Sequence, residues 1–370
     1  LWTHIVILSL GLPPLLTIAQ ETESGKIIEA IIESHLDKIE EGTDVALVIE
    51  DLERFAENPI NINATQGIEL SRLYILNDVQ INKLLEYIAN YGPAYSIYEL
   101  TSVDGFTRDI LLKMQPFIYF GEKTREIKLF KEELKYANHQ LLLRGLGNMQ
   151  KAKGYKPKKD GTTAYEGNRF RYYTRYNFEV RDKLSAGLTA EKDPGEAFLK
   201  GSNKQGFDFY SAHLSIKLNT TFENISVGDY LMRAGQGLVL WQGYTSGKSE
   251  NVLGISKTGQ GLRGYTSVDE NYYFRGAATT LKLSNGKLSL FYSQKKADGN
   301  IVFTDFSKSY FTSLQTSGYH RTKSEIEDEK SVRNTNAGGV FTWSFSHLKI
   351  GTTLLYQKFD KPFIRSTQLY

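Results

Sequence analysis

Phe170-Arg171-Tyr172-Tyr173-Thr174-Arg175-Tyr176-Asn177-Phe178-Glu179-Val180 alternates apolar or aromatic side chains with charged or polar ones. Successive side chains of a β-strand point to opposite faces. Phe170, Tyr172, Tyr176, Phe178 and Val180 therefore share one face, and Arg169, Arg171, Arg175, Asn177 and Glu179 the other. After a turn at Arg181-Asp182-Lys183, Leu184, Ala186, Leu188 and Ala190 alternate with Ser185, Gly187, Thr189 and Glu191. The same period of two returns from Tyr210 to Leu218, on both sides of an Asn285-Gly286 hairpin turn, and from Phe341 to Ser346. Segments of roughly ten residues with one apolar, aromatic face and one polar, charged face are the sequence form of a transmembrane barrel. A soluble sandwich of two sheets also alternates. The long strands, the Arg, Lys and His at polar positions, and the Tyr and Phe near strand ends favour the barrel.

Upstream of about residue 125 the period is helical. Ile28, Ile31, Ile32, Leu36 and Ile39 form one stripe, and a second helix is expected over Val45 to Phe55, stopped by Asn58-Pro59. Asn63 with Gln66, and Asn77 with Gln80, stand at capping-box spacing. The helix after Asn77 presents Ile81, Leu84, Leu85 and Ile88 on one face and ends at Tyr91-Gly92-Pro93. A short helix around Tyr98 to Leu100, a turn over Val103 to Thr107, and a helix carrying Ile110, Leu111 and Met114 complete the segment.

The expected class is α+β: a helical helix-hairpin-helix module followed by an antiparallel transmembrane β-barrel. The boundaries are 1–19 for an export signal, 20–56 for N-terminal helices, 57–122 for the module, 123–138 for a linker helix and 139–370 for the barrel. The signal rests on the apolar run from Ile5 to Leu16 and the small residues of Thr17-Ile18-Ala19. That run is too short to span a bilayer, and no other stretch approaches the ~20 apolar residues of a transmembrane helix, so a membrane location requires strands. With about ten strands expected, closure is not assured, and the barrel reads as truncated.

Composition narrows the chemistry. Hydrophobic residues are 40% and charged residues 24% of the chain, the balance of a folded protein. Cys is absent, which excludes disulfides, thiolate metal sites and cysteine catalysis. A net charge of +3 does not by itself point to nucleic acid. The six His residues (His4, His35, His139, His213, His320, His347) show no pair at metal-ligand spacing, so no metal or other cofactor is expected. No Ser-His-Asp or paired-carboxylate constellation is legible, and the chain does not read as an enzyme. The acidic run Glu325 to Glu329 reads as part of a solvated loop from Arg321 to Asn336. Gly235-Gln236-Gly237 lacks the strand–helix context of a phosphate loop and reads as a bulge or constriction.

Asn61-Ile62-Asn63-Ala64, Glu69-Leu70, Leu73, Ile81 to Pro93, Tyr98-Glu99-Leu100, Val103 and Gly105 resemble the tandem helix-hairpin-helix domain of competence-type DNA-uptake proteins. Gly228-Asp229-Tyr230, Gly235 to Leu238, Trp241, Gly243 and Lys248 are similar to the barrel portion of a Bacteroidetes family of helix-hairpin-helix outer-membrane proteins. These resemblances imply an outer-membrane location with a periplasmic module, outer-membrane lipid as a neighbour, and double-stranded DNA as a partner. The DNA would be held by main-chain amides of Gly105, Phe106 and Thr107, with Arg108 and Lys113 as cations. Gly105 matches the first turn glycine of the family pattern, but Thr107 stands in place of the second. Tyr74-Ile75-Leu76-Asn77 lacks the glycine usual in the first hairpin. From Glu50 to Phe120, ten acidic residues face five basic ones, an unfavourable balance for a polyanion. The alternative is a periplasmic protein partner, or a helical module that gates the barrel. Arg169, Arg171, Arg175 and Lys217 are expected on the lumen face, lining an anion path or pairing with lumen acids such as Glu179 and Glu191.

Overall fold

The computed structural model describes residues 23–36, 45–65, 67–121, 134–180, 183–218, 220–240, 259, 261–304, 309–345 and 348–365. The expected signal segment and most of the expected linker helix lie outside these residues, as do Trp241, Gly243 and Lys248. The fold is α+β, a set of short helices followed by a large antiparallel sheet. No described helix is long and apolar enough to cross a membrane; strands are a separate matter.

The helical part comprises α1 (Glu23–Leu36), α2 (Val45–Glu57), α3 (Ile68–Ser71), α4 (Asp78–Tyr91) and α5 (Arg108–Met114). It has its own apolar core, in which Leu52, Leu70, Leu73, Leu84, Leu100 and Phe117 are fully or almost fully buried. Each such side chain contributes roughly 1.5–3 kcal/mol. The Asn77 box forms as expected: Asn77 Oδ1 accepts from the Gln80 N–H, and Gln80 Oε1 accepts from the Asn77 N–H. The box expected at Asn63 does not form. Helix α3 starts after Gly67, and Asn63 is buried for another purpose. Its side chain accepts from the Ala94 N–H at 2.9 Å and donates to the Ala94 and Gly121 carbonyls at 2.8 and 3.0 Å. It thereby ties the start of the segment to its end. The parallel pair β1 (Ile60–Asn61) and β2 (Ile118–Tyr119) makes the same closure with main-chain bonds.

The large sheet contains β3 (Asn138–Gly147), β4 (Phe170–Val180), β5 (Leu184–Lys192), β6 (Phe209–Lys217), β7 (Phe222–Arg233), β8 (Gly261–Gly264), β9 (Phe274–Lys282) and β10 (Gly286–Ala297). A separate two-stranded sheet, β11 (Gly299–Phe303) with β12 (Ser309–Leu314), precedes α6 (Lys323–Asp328). Strands β13 (Val332–Ser344) and β14 (Lys349–Phe359) then complete the large sheet, ordered β14-β13-β10-β9-β7-β6-β5-β4-β3 with β8 paired to β7. All its pairings are antiparallel.

The sheet does not close into a barrel among the described residues, and the sequence does not assure closure. Strands β3 and β14 each pair on one side and do not pair with each other, so the ladder has two edges. The expected loop from Arg321 to Asn336 is also corrected. Thr322 caps α6 in a box with Glu325, and β13 begins at Val332.

Connections at the two ends of the sheet differ. Only a few residues separate β4 from β5, β6 from β7, β9 from β10 and β13 from β14, all at one end of the sheet. Long connections, 148–169, 193–208 and 298–331, occupy the other. Strand β3 starts opposite Glu179, near the end of β4, so the helical part joins the sheet at its short-turn end.

Strand β7 bends at Gly228, whose φ of +92° is a left-handed value and whose absent Cβ would sit 2.3 Å from the Ala212 carbonyl oxygen. Any side chain there would strain both strands. Beyond the bend, Tyr230 to Arg233 pair with β8. This hairpin returns across the sheet: the Asn224 amide donates to the Leu262 carbonyl at 2.8 Å, and Gly264 lies against the His213 ring. Asp229 fills the gap left in the ladder, accepting from the Ala212 N–H and from Arg275.

Replacing Asn63 with Ala strands the buried Ala94 N–H, at about 1–3 kcal/mol for each buried group left without a partner. Chemical denaturation of Asn63→Ala should show the helical part destabilised by at least that amount, with the sheet transition unchanged.

Candidate functional site

The faces of the sheet are inverted relative to a water-soluble one. Arg175, Asn177, Thr189, Ser211, His213, Ser215, Ser226, Thr280, Ser289, Ser293 and Asn336 are buried. On the opposite face Leu188 is 60% exposed, Leu214 41%, Leu354 71% and Tyr356 61%. Register explains the sorting. Thr189 pairs with Ser211, Gly187 with His213 and Ser185 with Ser215, while Leu188 pairs with Ala212 and Ala186 with Leu214. Some of the buried groups bond one another across strands: Ser215 bonds Ser226, Thr280 bonds Ser289 at 2.9 Å, and Ser185 meets His213 Nε2 at 3.3 Å, whereas Asn177 Oδ1 and Ser211 Oγ have no partner among the described residues. An apolar patch of Tyr230, Leu262, Phe274, Phe291 and Val340 interrupts this polar surface under the returning hairpin.

At the short-turn end, Asp51 of α2 is the hub between helices and sheet. Its buried carboxylate bonds Arg72, meets Arg263 of β8 at 2.7 Å and lies 3.9 Å from Arg54. Arg54 in turn reaches Glu179 of β4 at 3.6 Å, and Glu69 of α3 accepts from Lys217 of β6 at 2.6 Å. Burial alone would raise the Asp51 carboxyl, but Arg263, Arg72 and Arg54 outweigh it and hold Asp51 well below the usual carboxylate range. Glu69 follows the same logic: burial opposes its charge, and Lys217 with Thr65 lowers it strongly. A polar pocket lined by Arg54, Glu57, Gln140, Arg175, Asn177 and Glu179 lies where α2 meets β3 and β4.

At the long-loop end, His320 stands among carboxylates. Nδ1 is 3.2 Å from Asp208 Oδ2, Nε2 is 2.9 Å from Asp298 Oδ2, and the His320 N–H donates to Glu196 Oε1 at 2.8 Å. Burial disfavours the imidazolium, yet Asp208 and Asp298 override it and push His320 up to about 11. Burial, followed by the charge of Asp208, pushes Glu270 up to about 8 and also raises Glu196.

Arg171 and Arg175 lie on the polar face, Arg171 paired with Glu191 and Arg175 buried with its Nη2 3.4 Å from Gln140 Oε1. Arg169 precedes β4 and donates to the Met149 carbonyl in the long-loop region. Lys217 is committed to Glu69.

In the turn expected to hold DNA, Gly105 is exposed with φ 86 and its carbonyl accepts from Gln80. The Phe106 ring is buried in the helical core, and its N–H donates to the Val103 carbonyl. Thr107 caps α5, Arg108 is exposed, and Lys113 pairs with Asp109 at 2.8 Å. Gly235 and Gly237 both have positive φ in the turn that follows β7. Sequence reasoning missed Asp51, Arg72 and Arg263, and it missed the partners of His320, because each set is assembled from distant segments.

Comparison with family models, with curated proteins and with solved structures finds no match to this chain.

The sign of the Asp51 shift gives a pH dependence. A carboxyl held below its ordinary 3.8 contributes stability above that value and loses it as pH falls through the depressed one. Contact between helices and sheet should therefore persist from pH 7 down to about 4 and fail only in stronger acid. Asp51→Asn should loosen it across the whole range. Limited proteolysis of the full chain at each pH reads the difference.

Proposed function

We propose that this chain is a non-enzymatic outer-membrane component. Its sheet turns the leucine and tyrosine face to lipid and the serine, asparagine and arginine face to an aqueous interior, as one wall of a barrel. The helical part, read as a helix-hairpin-helix module, sits on the periplasmic side and gates the short-turn end through Asp51. The carrying observation is the inversion: polar side chains buried, apolar side chains bare. Placement of short turns and helices at one end and long connections at the other supports the orientation, since outer-membrane barrels have short periplasmic turns and longer extracellular loops. The returning β7–β8 hairpin, held to the helices by Arg263, would act as an internal constriction.

Gating is favoured over a periplasmic protein partner by the ion pairs that engage Asp51, Arg54 and Glu69 with the sheet itself. Duplex DNA as a partner has one observation in its favour, the exposure of Gly105, Thr107 and Arg108 on a single turn. Helix α5 has only seven residues and its Lys113 is paired, so the amides there receive little help from cations. Fluorescence anisotropy with labelled duplex at low salt separates the two readings. Salt-dependent binding that Arg108→Ala abolishes supports the DNA partner, and no binding removes it.

Leu214→Arg is the direct test of the lipid assignment. In water, a substitution at a surface position of this kind changes stability by about 0.5 kcal/mol or less. Facing the bilayer midplane, it costs about 2–4 kcal/mol. Reversible unfolding from phospholipid vesicles should show the larger figure for Leu214→Arg and for Leu188→Arg. A change within the smaller figure for both would refute a lipid-facing sheet.

A further inference from the structure

The long-loop end gathers ionisable side chains that gating does not use. Glu196 and Asp208 lie in the β5–β6 connection, Asp298 follows β10, and His320 precedes α6 and β13. Ligand atoms of Glu196, Asp208 and His320 all lie within 4.8 Å of one another. His320 Nδ1 faces both carboxylates, 3.2 Å from Asp208 Oδ2 and 4.0 Å from Glu196 Oε1. Glu196 is fixed from behind, its Oε2 accepting from the Asp193 N–H at 2.7 Å and its Oε1 from the His320 N–H at 2.8 Å.

Two further observations distinguish this group from an ordinary acidic cluster. The Asp208 side chain is 7% exposed, and its Oδ1 is sealed from solvent with no hydrogen-bond partner among the described residues. A buried carboxylate oxygen without a donor is costly and calls for a counter-charge. On the far side of the ring, Nε2 lies 2.9 Å from Asp298 Oδ2, and Asp298 Oδ1 accepts from the Lys330 N–H at 2.7 Å. A carboxylate on the second ring nitrogen is the arrangement that orients metal-bound histidines and fixes their tautomer.

We propose that Glu196, Asp208 and Nδ1 of His320 hold one divalent first-row transition-metal ion, with Asp298 positioning the ring. A shell that mixes imidazole with carboxylates suits Zn2+ or Mn2+, whereas Mg2+ and Ca2+ take oxygen ligands. On binding, the proton between Nδ1 and Asp208 and any proton shared by Glu196 and Asp208 leave to solvent, the Nδ1 lone pair and both carboxylates coordinate the ion, and Nε2 keeps its proton for Asp298. The ion would clasp the β5–β6 connection to the segment ahead of β13, whose sequence separation reaches 124 residues between Glu196 and His320.

The test uses the full chain in detergent micelles, stripped with chelator and titrated by calorimetry with ZnCl2 and, separately, MnCl2, MgCl2 and CaCl2. Expected are one Zn2+ or Mn2+ per chain, at least tenfold weaker binding in Asp208→Asn and His320→Gln, and a tenfold to hundredfold loss in Asp298→Asn. Strand content by circular dichroism confirms that each variant is folded. Absence of stoichiometric Zn2+ or Mn2+ binding by the wild-type chain overturns the proposal whatever the variants do. So does equal affinity in wild type and folded His320→Gln, or Mg2+ or Ca2+ binding as tight as Zn2+ and Mn2+.

Discussion

Cross-strand pairing of buried hydroxyl, amide and charged side chains is the constraint on which the rest of this sheet depends. A polar group removed from water without a partner costs kilocalories. The fold meets part of that cost between strands, Ser215 to Ser226, Thr280 to Ser289 and Arg171 to Glu191. A slip of one residue in any ladder would send every one of these groups to the opposite face. The register that satisfies them is the same register that leaves Leu188, Leu214, Leu354 and Tyr356 bare. Lipid against that face and water within the other would make both halves of the pattern favourable at once, which is why the two are proposed together.

Position then follows from connectivity. Short connections leave little at one end of the sheet, and there the helices dock, with Asp51 bridging Arg72 and Arg263. Breaking such a buried network from the carboxylate side leaves like charges facing each other, so the contact is either made or lost as a unit. That property suits a gate. At the opposite end the long connections fold onto one another around His320, and the bend at Gly228 brings the β7–β8 hairpin back across the polar face between the two.

Much of this was legible in local pattern. The alternation from Phe170 to Val180 gives β4 and its faces, and Asn77 with Gln80 gives the start of α4, because both signals are complete within a few residues. Asn63 carries the same signal as Asn77, yet tertiary bonding to Ala94 and Gly121 outweighs capping there. Thr322 and Glu325 form a capping box inside a run whose charge reads as loop. The His320 group had no local signature at all. Its ligands arrive from separate connections, and only the ladder order of the sheet brings them together. Closure of the sheet is equally non-local, and its edges at β3 and β14 follow from pairing that no single strand encodes.

The absence of cysteine makes the central claim directly measurable. Single cysteines placed in turn at each position from Tyr210 to Lys217, in the full chain reconstituted into vesicles, report their surroundings through an environment-sensitive thiol dye and a lipid-borne quencher. The account predicts a strict alternation: positions 210, 212, 214 and 216 in an apolar, lipid-quenched setting, positions 211, 213, 215 and 217 in a polar, unquenched one. Equal water access at both sets, with no quenching from the lipid phase, would contradict it.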